Sequence, residues 1–206
     1  MKNGTQITCL FLDIGGVLLT DGWNTDARKR ATANFHLDFS AMEERHHLVF
    51  AVYEEGKLTL EDYLNKTVFF EDRSFTRDEF RKFMFAQSKA DAEMIELVRT
   101  LKAKYGLKTI VVSNEARELN AYRIRKFDLD GFVDAFVSSC FAGSRKPDPE
   151  IFLLALDIAQ VPPEQIVYIE NTAMFVDIAE AMGMNGIRHT DHESTRVRLE
   201  AFGLSY

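Results

Sequence analysis

The chain has 206 residues, of which 46 % are hydrophobic, and its formal net charge at pH 7 is −7. This length provides enough apolar surface for one domain with a sizeable insertion, or for two small domains. Because acidic and basic residues are interspersed and the acidic ones are in excess, neither nucleic acid nor a membrane surface is an expected partner.

The two cysteines, Cys9 and Cys140, are too far apart in the sequence to form a metal-binding pair and too few to form a disulfide framework. The N-terminus lacks the hydrophobic segment of a signal peptide, and no apolar run is long enough to span a bilayer. We therefore expect a protein of the reducing cytoplasm.

The first predicted element is a buried strand over residues 7–12, which ends at Asp13 and is followed by Gly15 and Gly16. A carboxylate at the C-terminal end of a buried strand is held at the rim of the sheet, where α/β proteins usually bind ligands. The glycines allow a sharp turn and bring backbone N–H groups close to an anionic ligand. Taken alone, Asp13 is equally compatible with a helix cap beside a simple turn.

Residues from about 25 to 88 are rich in aromatic and charged side chains at helical spacing, without a convincing strand. Leu60, Tyr63, Leu64 and Val68 follow this spacing, and acids occupy the first turn of a helix that starts near residue 76. This block is predicted to be an all-helical insertion after the first strand, at the ligand-binding edge of the sheet.

Strands and helices alternate in the remainder of the chain. The predicted strands are 109–112, 135–137, 165–169 and 186–188, and the predicted helices are 94–105, 115–127, 149–159, 172–182 and 194–202. This alternation indicates βαβ units and a doubly wound parallel sheet. We expect an α/β core formed by residues 1–20 and 89–206, with a helical domain formed by residues 21–88.

Some conspicuous residues are expected to be structural. His46 and His47 are adjacent on a predicted helix and do not face each other, so a packing or solvated pair is favoured over a metal site. Arg117 and Arg123 are expected on the exposed surface of their helix, with Arg117 close enough to the sheet edge to contact an anion.

Four polar segments follow the ends of predicted strands. They are Asp13, Ser113-Asn114, Arg145-Lys146-Pro-Asp-Pro149 and Glu170-Asn171. Because the carboxyl ends of parallel strands share one edge, these groups are expected to converge on one crevice. Carboxylates there suit Mg²⁺, while an ammonium and a hydroxyl suit phosphate oxygens. Asp13 is then a candidate nucleophile toward phosphorus or carbon.

At these residues the chain resembles the haloacid dehalogenase superfamily. The matching segments are Phe11-Leu-Asp13-Ile-Gly-Gly-Val17, Val111-Val-Ser113-Asn, Ser144-Arg-Lys146-Pro-Asp-Pro-Glu-Ile-Phe152 and Val167-Tyr-Ile-Glu170-Asn171 with Ala181-Met-Gly183-Met. The resemblance covers nearly the whole chain. It implies a Rossmann-like core whose helical cap is inserted after the first motif.

The resemblance also implies roles for individual residues. Asp13 would be the covalent nucleophile, Ser113 a phosphate ligand and Lys146 a charge stabiliser. The substrate-binding set would comprise Gly15, Gly16, Ser113, Asn114 and Lys146, and the Mg²⁺ ligands would come from Asp13, the Gly15 carbonyl, Glu170 and Asn171. The predicted protein is a hydrolase, a Mg²⁺-dependent phosphatase that acts on a small phosphorylated metabolite through an aspartyl phosphate, as a monomer or homodimer.

Two positions depart from the usual pattern of this superfamily. Gly15 stands where its phosphatases usually carry a second Asp, a general acid–base group of the kind that supplies ~10²–10⁴-fold in rate. Asn171 stands where a carboxylate is common, so the cation site loses a negative charge and weak Mg²⁺ binding is expected.

These departures keep two alternatives open. A 2-haloacid dehalogenase would use Asp13 to attack carbon and needs neither the second Asp nor a metal, but such enzymes usually have an aromatic residue at position 15. A non-catalytic binding or regulatory protein would have kept the fold after losing the chemistry. The sequence does not identify the substrate.

Overall fold

A computed structural model describes residues 6–206, which form a five-stranded parallel sheet with helices on its faces and edge. The strands are β1 (Cys9–Leu12), β2 (Lys108–Ser113), β3 (Ala135–Ser138), β4 (Ile166–Glu170) and β5 (Asn185–Arg188). Side by side they run in the order β3-β2-β1-β4-β5, and every neighbouring pair is parallel. The predicted doubly wound α/β fold is confirmed, while residues 1–5 of the predicted core range lie outside the described part.

Ten α-helices occur in residues 6–206. They are α1 (Thr25–Phe35), α2 (Phe39–Glu54), α3 (Leu60–Thr67), α4 (Arg77–Ala86), α5 (Ala92–Tyr105), α6 (Arg117–Lys126), α7 (Ser139–Ala142), α8 (Pro149–Ala159), α9 (Ala173–Ala181) and α10 (His192–Ala201). Several begin at caps visible in the sequence: Thr76 and Glu79 form a capping box before α4, and the Asp148 side chain accepts a hydrogen bond from Glu150 N at the start of α8.

The sheet is buried on both faces, as expected for parallel strands covered by helices. Successive residues of β1 point to opposite sides. Leu10 and Leu12 pack with α5 and α10, whereas Cys9 and Phe11 pack with α8 and α9. Because β1 is central and fully buried, the residue that follows it is held in a fixed position.

Helices α1–α4 lie between β1 and α5 in the chain and share a hydrophobic cluster of their own. Tyr63, Phe80 and Met84 are fully buried in this cluster, and Ala116 and Leu119, at the start of α6, extend it to the helices of the sheet. We call residues 25–86 the helical insertion. None of their described residues forms a strand, as predicted.

The chain enters and leaves the helical insertion side by side. Thr20 N donates to Lys89 O at 2.9 Å, and Asp91 N donates to Leu18 O at 2.9 Å, around a bridge between Leu19 and Ala90. The two chain connections between the insertion and the core therefore lie next to each other. No helix within residues 6–206 is both long and apolar enough to cross a membrane.

Candidate active site

The candidate site lies at the carboxyl edge of the sheet, where the strand order reverses. From β1 the chain proceeds to β2 and β3 on one side, while β4 and β5 lie on the other. Asp13 follows β1 directly, and its backbone N–H donates to Ile169 O of β4 at 3.0 Å. Ligands of doubly wound proteins bind at such a switch point.

Lys146 joins two carboxylates at this edge. Its Nζ lies 3.0 Å from Asp13 Oδ1 and 2.6 Å from Glu170 Oε2, and the Lys146 and Glu170 side chains are almost completely buried. The Tyr168 hydroxyl donates to the same Glu170 oxygen at 2.6 Å, and the other oxygen accepts from Thr172 N at 2.9 Å. The structure thus brings together Asp13, Lys146 and Glu170, which come from three separate segments of the chain.

The charges in this group do not balance. Burial disfavours the charged form of Lys146, but the neighbouring Asp13 and Glu170 carboxylates outweigh it and raise the lysine pKa above its usual value. Burial, and then repulsion from Asp13, raise the pKa of Glu170 against the opposing effect of Lys146. With both carboxylates ionised, one ammonium leaves one negative charge uncompensated in a buried site, which favours a bound cation.

Ser113 is the last residue of β2, the strand beside β1, and Asn114 follows it. Ser113 is buried at this position. The Asn114 amide holds the backbone of Lys146 at both ends, because its Nδ2 donates to the Lys146 carbonyl at 2.9 Å and its Oδ1 accepts from the Lys146 N–H at 2.8 Å. Asn114 therefore positions Lys146, and its predicted contact with substrate stays a prediction.

Gly15 and Gly16 form the turn after Asp13, and Asn171 lies against this turn. Gly16 has φ +73°, and a Cβ built on it would lie 1.9 Å from Asn171 Nδ2. Only glycine provides both this conformation and this space. The amide of Asn171 thus occupies a cradle formed by the backbone of the same turn that was predicted to offer a carbonyl to the metal.

Asp21 is a further carboxylate at this turn, and the sequence did not single it out. Its Oδ1 accepts a hydrogen bond from Asn171 Nδ2 at 3.3 Å and lies 3.6 Å from the position of a Cβ on Gly15. Asp21 belongs to an irregular segment eight residues after Asp13 and matches no motif, so no sequence signal would have found it.

Arg123 is buried, contrary to the expectation of an exposed residue. Its Nη1 pairs with Glu115, its Nε donates to Ser88 Oγ at 3.0 Å, and its Nη2 donates to the carbonyl of Thr20. Burial raises the pKa of Glu115 to about 7, against the opposing effect of Arg123. The partners come from distant segments, which the periodicity of one helix does not reveal. Tyr168 was also missed, although its spacing of two residues from Glu170 on a strand places both side chains on one face.

A cavity of about 330 Å³ opens between the helical insertion and the edge of the sheet. Its wall includes Asp21, Asn114 and Glu54, together with Trp23, just before the helical insertion, and Phe50 within it. Asp13 does not line it. The Asp13 charge is nevertheless among the causes that raise the pKa of Glu54, after burial and against Arg145, which pairs with Glu54 at 2.8 Å. The cavity adjoins the site through Asn114, which lines it and is hydrogen-bonded to the backbone of Lys146.

The residues present suit a magnesium ion through oxygen donors of mixed kind. No three His, Cys, Asp or Glu side chains in the described range of residues 6–206 form a metal-binding group. A cation at this edge would therefore draw on neutral oxygens as well as carboxylates, and the Gly15 carbonyl and the Asn171 amide are the predicted sources. Mg²⁺ accepts such donors and usually retains several waters. The uncompensated negative charge fits this ion, and Asn171 would serve it through Oδ1, because its Nδ2 faces the Gly16 turn.

Comparison with known proteins gives a family match over most of the chain. Residues 7–183 match the family model described as haloacid dehalogenase-like hydrolase. The phosphorylated carbohydrates phosphatase of Thermotoga maritima is 28 % identical over 189 residues, which cover 89 % of this chain and 85 % of that protein.

Solved structures support the fold. A predicted HAD-like family hydrolase from Porphyromonas gingivalis has a TM-score of 0.75 at 20 % identity, with 95 % of this chain and 98 % of that chain covered. A HAD family enzyme from Bacteroides thetaiotaomicron, in complex with magnesium and inorganic phosphate, has a TM-score of 0.73 at 18 % identity, with 89 % and 94 % covered. The latter structure places magnesium and phosphate together in a protein of this fold.

Proposed function

Because the chain belongs to the haloacid dehalogenase-like hydrolase family, we propose that it is a Mg²⁺-dependent phosphatase that hydrolyses a small phosphorylated metabolite. The observation that carries this proposal is the contact of Lys146 with both Asp13 and Glu170 at the switch point of the sheet. It provides a nucleophile, a fixed positive charge and a residual negative charge for a cation in one buried group. The similarity to a phosphatase of phosphorylated carbohydrates supports the same reaction.

The reaction begins when an Asp13 oxygen attacks phosphorus in line with the leaving oxygen. The bond from Asp13 to phosphorus forms as the bond to the leaving oxygen breaks, and that oxygen takes a proton from solvent to become the alcohol. Water then attacks phosphorus, loses a proton to solvent and releases the Asp13 carboxylate and inorganic phosphate. Lys146 offsets negative charge beside the nucleophile, and Ser113 binds a phosphoryl oxygen. Asp13, the Gly15 carbonyl and Asn171 or Glu170 would hold Mg²⁺, which would neutralise phosphate charge.

The size of the cavity supports a small molecule as the substrate. A volume of about 330 Å³ is near the lower end for small-molecule sites. We assign residues 21–88 as a cap domain on a core of residues 1–20 and 89–206, so that the cap provides the wall around the leaving group. The two buried, unpaired thiols of Cys9 and Cys140 suit the reducing cytoplasm.

The proposal predicts that Asp13→Asn abolishes phosphate release, because an amide is a far poorer nucleophile than a carboxylate. The full-length protein should be tested against sugar phosphates, nucleotides and 2-haloacids, with and without Mg²⁺. Asp177→Asn makes the same chemical change on an exposed turn of α9 and should leave activity unchanged.

Each alternative has its own outcome in this screen. Halide release from 2-haloacids without metal would identify a dehalogenase, and the absence of any turnover would favour a binding or regulatory protein. Phosphate release that survives Asp13→Asn would remove Asp13 from the mechanism and contradict the proposal.

A further inference from the structure

The carboxylate of Asp21 lies next to Asn171, the position where the superfamily commonly has a carboxylate of its own. Its Oδ1 is 3.3 Å from Asn171 Nδ2, and it lies 2.8 Å from the Cβ position of Gly16 and 3.6 Å from that of Gly15. The carboxylate therefore lies against the same glycine turn that cradles Asn171. A side chain on Gly16 would displace both groups.

The backbone of Asp21 is fixed by a buried ion pair. Arg123, paired with Glu115, donates to the carbonyl of Thr20, and Trp23 N donates to the carbonyl of Asp21 at 2.8 Å. Gly22 has φ +71°, and a Cβ there would lie 2.3 Å from Arg123 Nη2. A buried ion pair is costly unless the remaining N–H groups of its arginine find acceptors. Here Arg123 finds one in the Thr20 carbonyl and packs against Gly22, and these contacts hold the backbone on both sides of Asp21.

Charge at the site then matches a divalent cation. Asp13, Glu170 and Lys146 together leave one negative charge, and Asp21 adds a second. We infer that Asp21 acts behind the ligands of the Mg²⁺ site of the proposed phosphatase, as the hydrogen-bond partner of Asn171, and supplies there the negative charge that Asn171 lacks. The inference rests on the proposed function for the identity of the cation, but on the contacts of Asp21 for the role of the residue.

Asp21 also orients the amide of Asn171. When Asn171 Nδ2 donates to Asp21, the amide oxygen points away from Asp21, where it accepts from Thr172 Oγ1 at 3.3 Å and would offer its second lone pair to a cation. Partners behind the metal ligands commonly fix ligand orientation in this way, and their loss typically weakens metal binding ~10–100-fold. Asp21 is thus a positioning residue that contributes charge as well as orientation.

Calorimetry with Mg²⁺ alone tests this role without relying on turnover. We expect Asp21→Asn to weaken Mg²⁺ binding by about 10-fold or more. Asp26→Asn is the matched control, because Asp26 is an exposed acid five residues further along that contacts Lys29 at 3.6 Å. Its Mg²⁺ affinity should equal that of the unmodified chain.

A charge exchange separates this role from a purely structural one. Asn171→Asp alone should tighten Mg²⁺ binding, and Asp21→Asn combined with Asn171→Asp should restore most of the lost affinity, because the carboxylate has only changed sides. Unchanged affinity in Asp21→Asn, or no recovery in the double variant, would overturn the inference, as would an unmodified chain that binds no Mg²⁺.

Phosphate release is measured separately, so the two proposals fail in different ways. Mg²⁺ binding that depends on Asp21, without any phosphatase activity, would reject the proposed function and retain the metal site. Phosphatase activity dependent on Asp13, with Mg²⁺ affinity insensitive to Asp21, would reject only the role of Asp21.

Discussion

Gly15 and Gly16 are neighbours that differ sharply in their tolerance of a side chain. Gly16 has a left-handed φ of +73° and no room for a Cβ beside Asn171. Gly15 does not have a left-handed φ, and the atom nearest to an added Cβ would be Asp21 Cα at an ordinary contact distance of 3.5 Å. The missing acid–base residue can therefore be introduced at position 15 without backbone strain.

We predict that Gly15→Asp folds and raises the turnover of a sugar phosphate, because the new carboxylate can protonate the leaving oxygen. The gain should reach up to ~10²-fold, the lower end for general acid–base catalysis. Steady-state kinetics of Gly15→Asp and of Gly15→Asn, which has the same size and cannot transfer the proton, provide the comparison. Equal rates for the two variants would show that a side chain at position 15 does not reach the leaving group.

The polar residues at strand ends could be predicted because their positions follow from the chain itself. A parallel sheet brings its carboxyl ends to one edge, so Asp13, Lys146 and Glu170 could be placed together before any contact was known. Asp21 and Arg123 could not, because their positions depend on hydrogen bonds between distant segments. Neither has a local pattern that distinguishes it from a surface residue.

Within α2, His46 is buried as a neutral ring. Trp23 Nε1 donates to the Tyr63 hydroxyl oxygen at 2.9 Å, and the same hydroxyl is hydrogen-bonded to His46 Nδ1 at 2.8 Å. Burial, and then the charge of Arg28, lower the pKa of His46 from 6.5 to about 3. In a protonated ring, Nδ1–H of His46 would have to donate to the Tyr63 hydroxyl oxygen, which already accepts from Trp23 Nε1.

This burial makes the stability of the protein dependent on pH. His46 takes up a proton below about pH 6.5 in the unfolded chain, but only near pH 3 in the folded chain. The stability that the neutral ring contributes is therefore fully present above pH 6.5 and is lost as the pH falls toward 3. Between pH 7 and pH 5 the loss is about 2 kcal/mol.

Urea unfolding at the two pH values should show a smaller loss in His46→Gln. His47→Gln is the control, because the side chain of His47 is exposed on the next position of the same helix. An equal pH dependence in the His46 variant and the unmodified protein would contradict the predicted role of burial.

The helices with clear caps and long apolar periodicity could be predicted from the sequence, and α8 begins at Pro149 and ends at Ala159 as expected. The four-residue α7 could not, because one turn contains no period to detect. Helix α7 is the part of the core that contacts the end of α2 in the helical insertion.

At the scale of the whole molecule, the insertion contacts the core through closely packed backbone at Gly56. This residue has φ +72°, and a Cβ on it would lie 2.2 Å from the carbonyl oxygen of Cys140 in α7. Beside it, Ser139 Oγ donates to the carbonyl of Glu54 at 2.7 Å. The close approach of these two backbones requires glycine.

We predict that Gly56→Ala destabilises the protein more than Gly106→Ala does. Both glycines have a left-handed φ, which costs alanine about 1–2 kcal/mol, but a Cβ on Gly106 would have no atom within 4 Å. The clash at Gly56 should add about 1–3 kcal/mol, the usual cost of overpacking. Urea unfolding measures this difference, and limited proteolysis should cut the insertion of Gly56→Ala faster. Equal destabilisation of the two variants would mean that the insertion moves away from α7 without cost.

The paired entry and exit of the insertion, between Leu18 and Asp91 and between Thr20 and Lys89, has a consequence for chain entropy. Since the ends of the insertion are already joined, the entropic cost of a longer insertion is that of loop closure, and each doubling of length costs about 0.6 kcal/mol. A change in the length of the segment between those crossings therefore costs the sheet little chain entropy, provided that the contact at Gly56 is kept. Asp13 and Glu170, which lie outside that segment, can then stay unchanged while the residues of the insertion that line the cavity vary with the substrate.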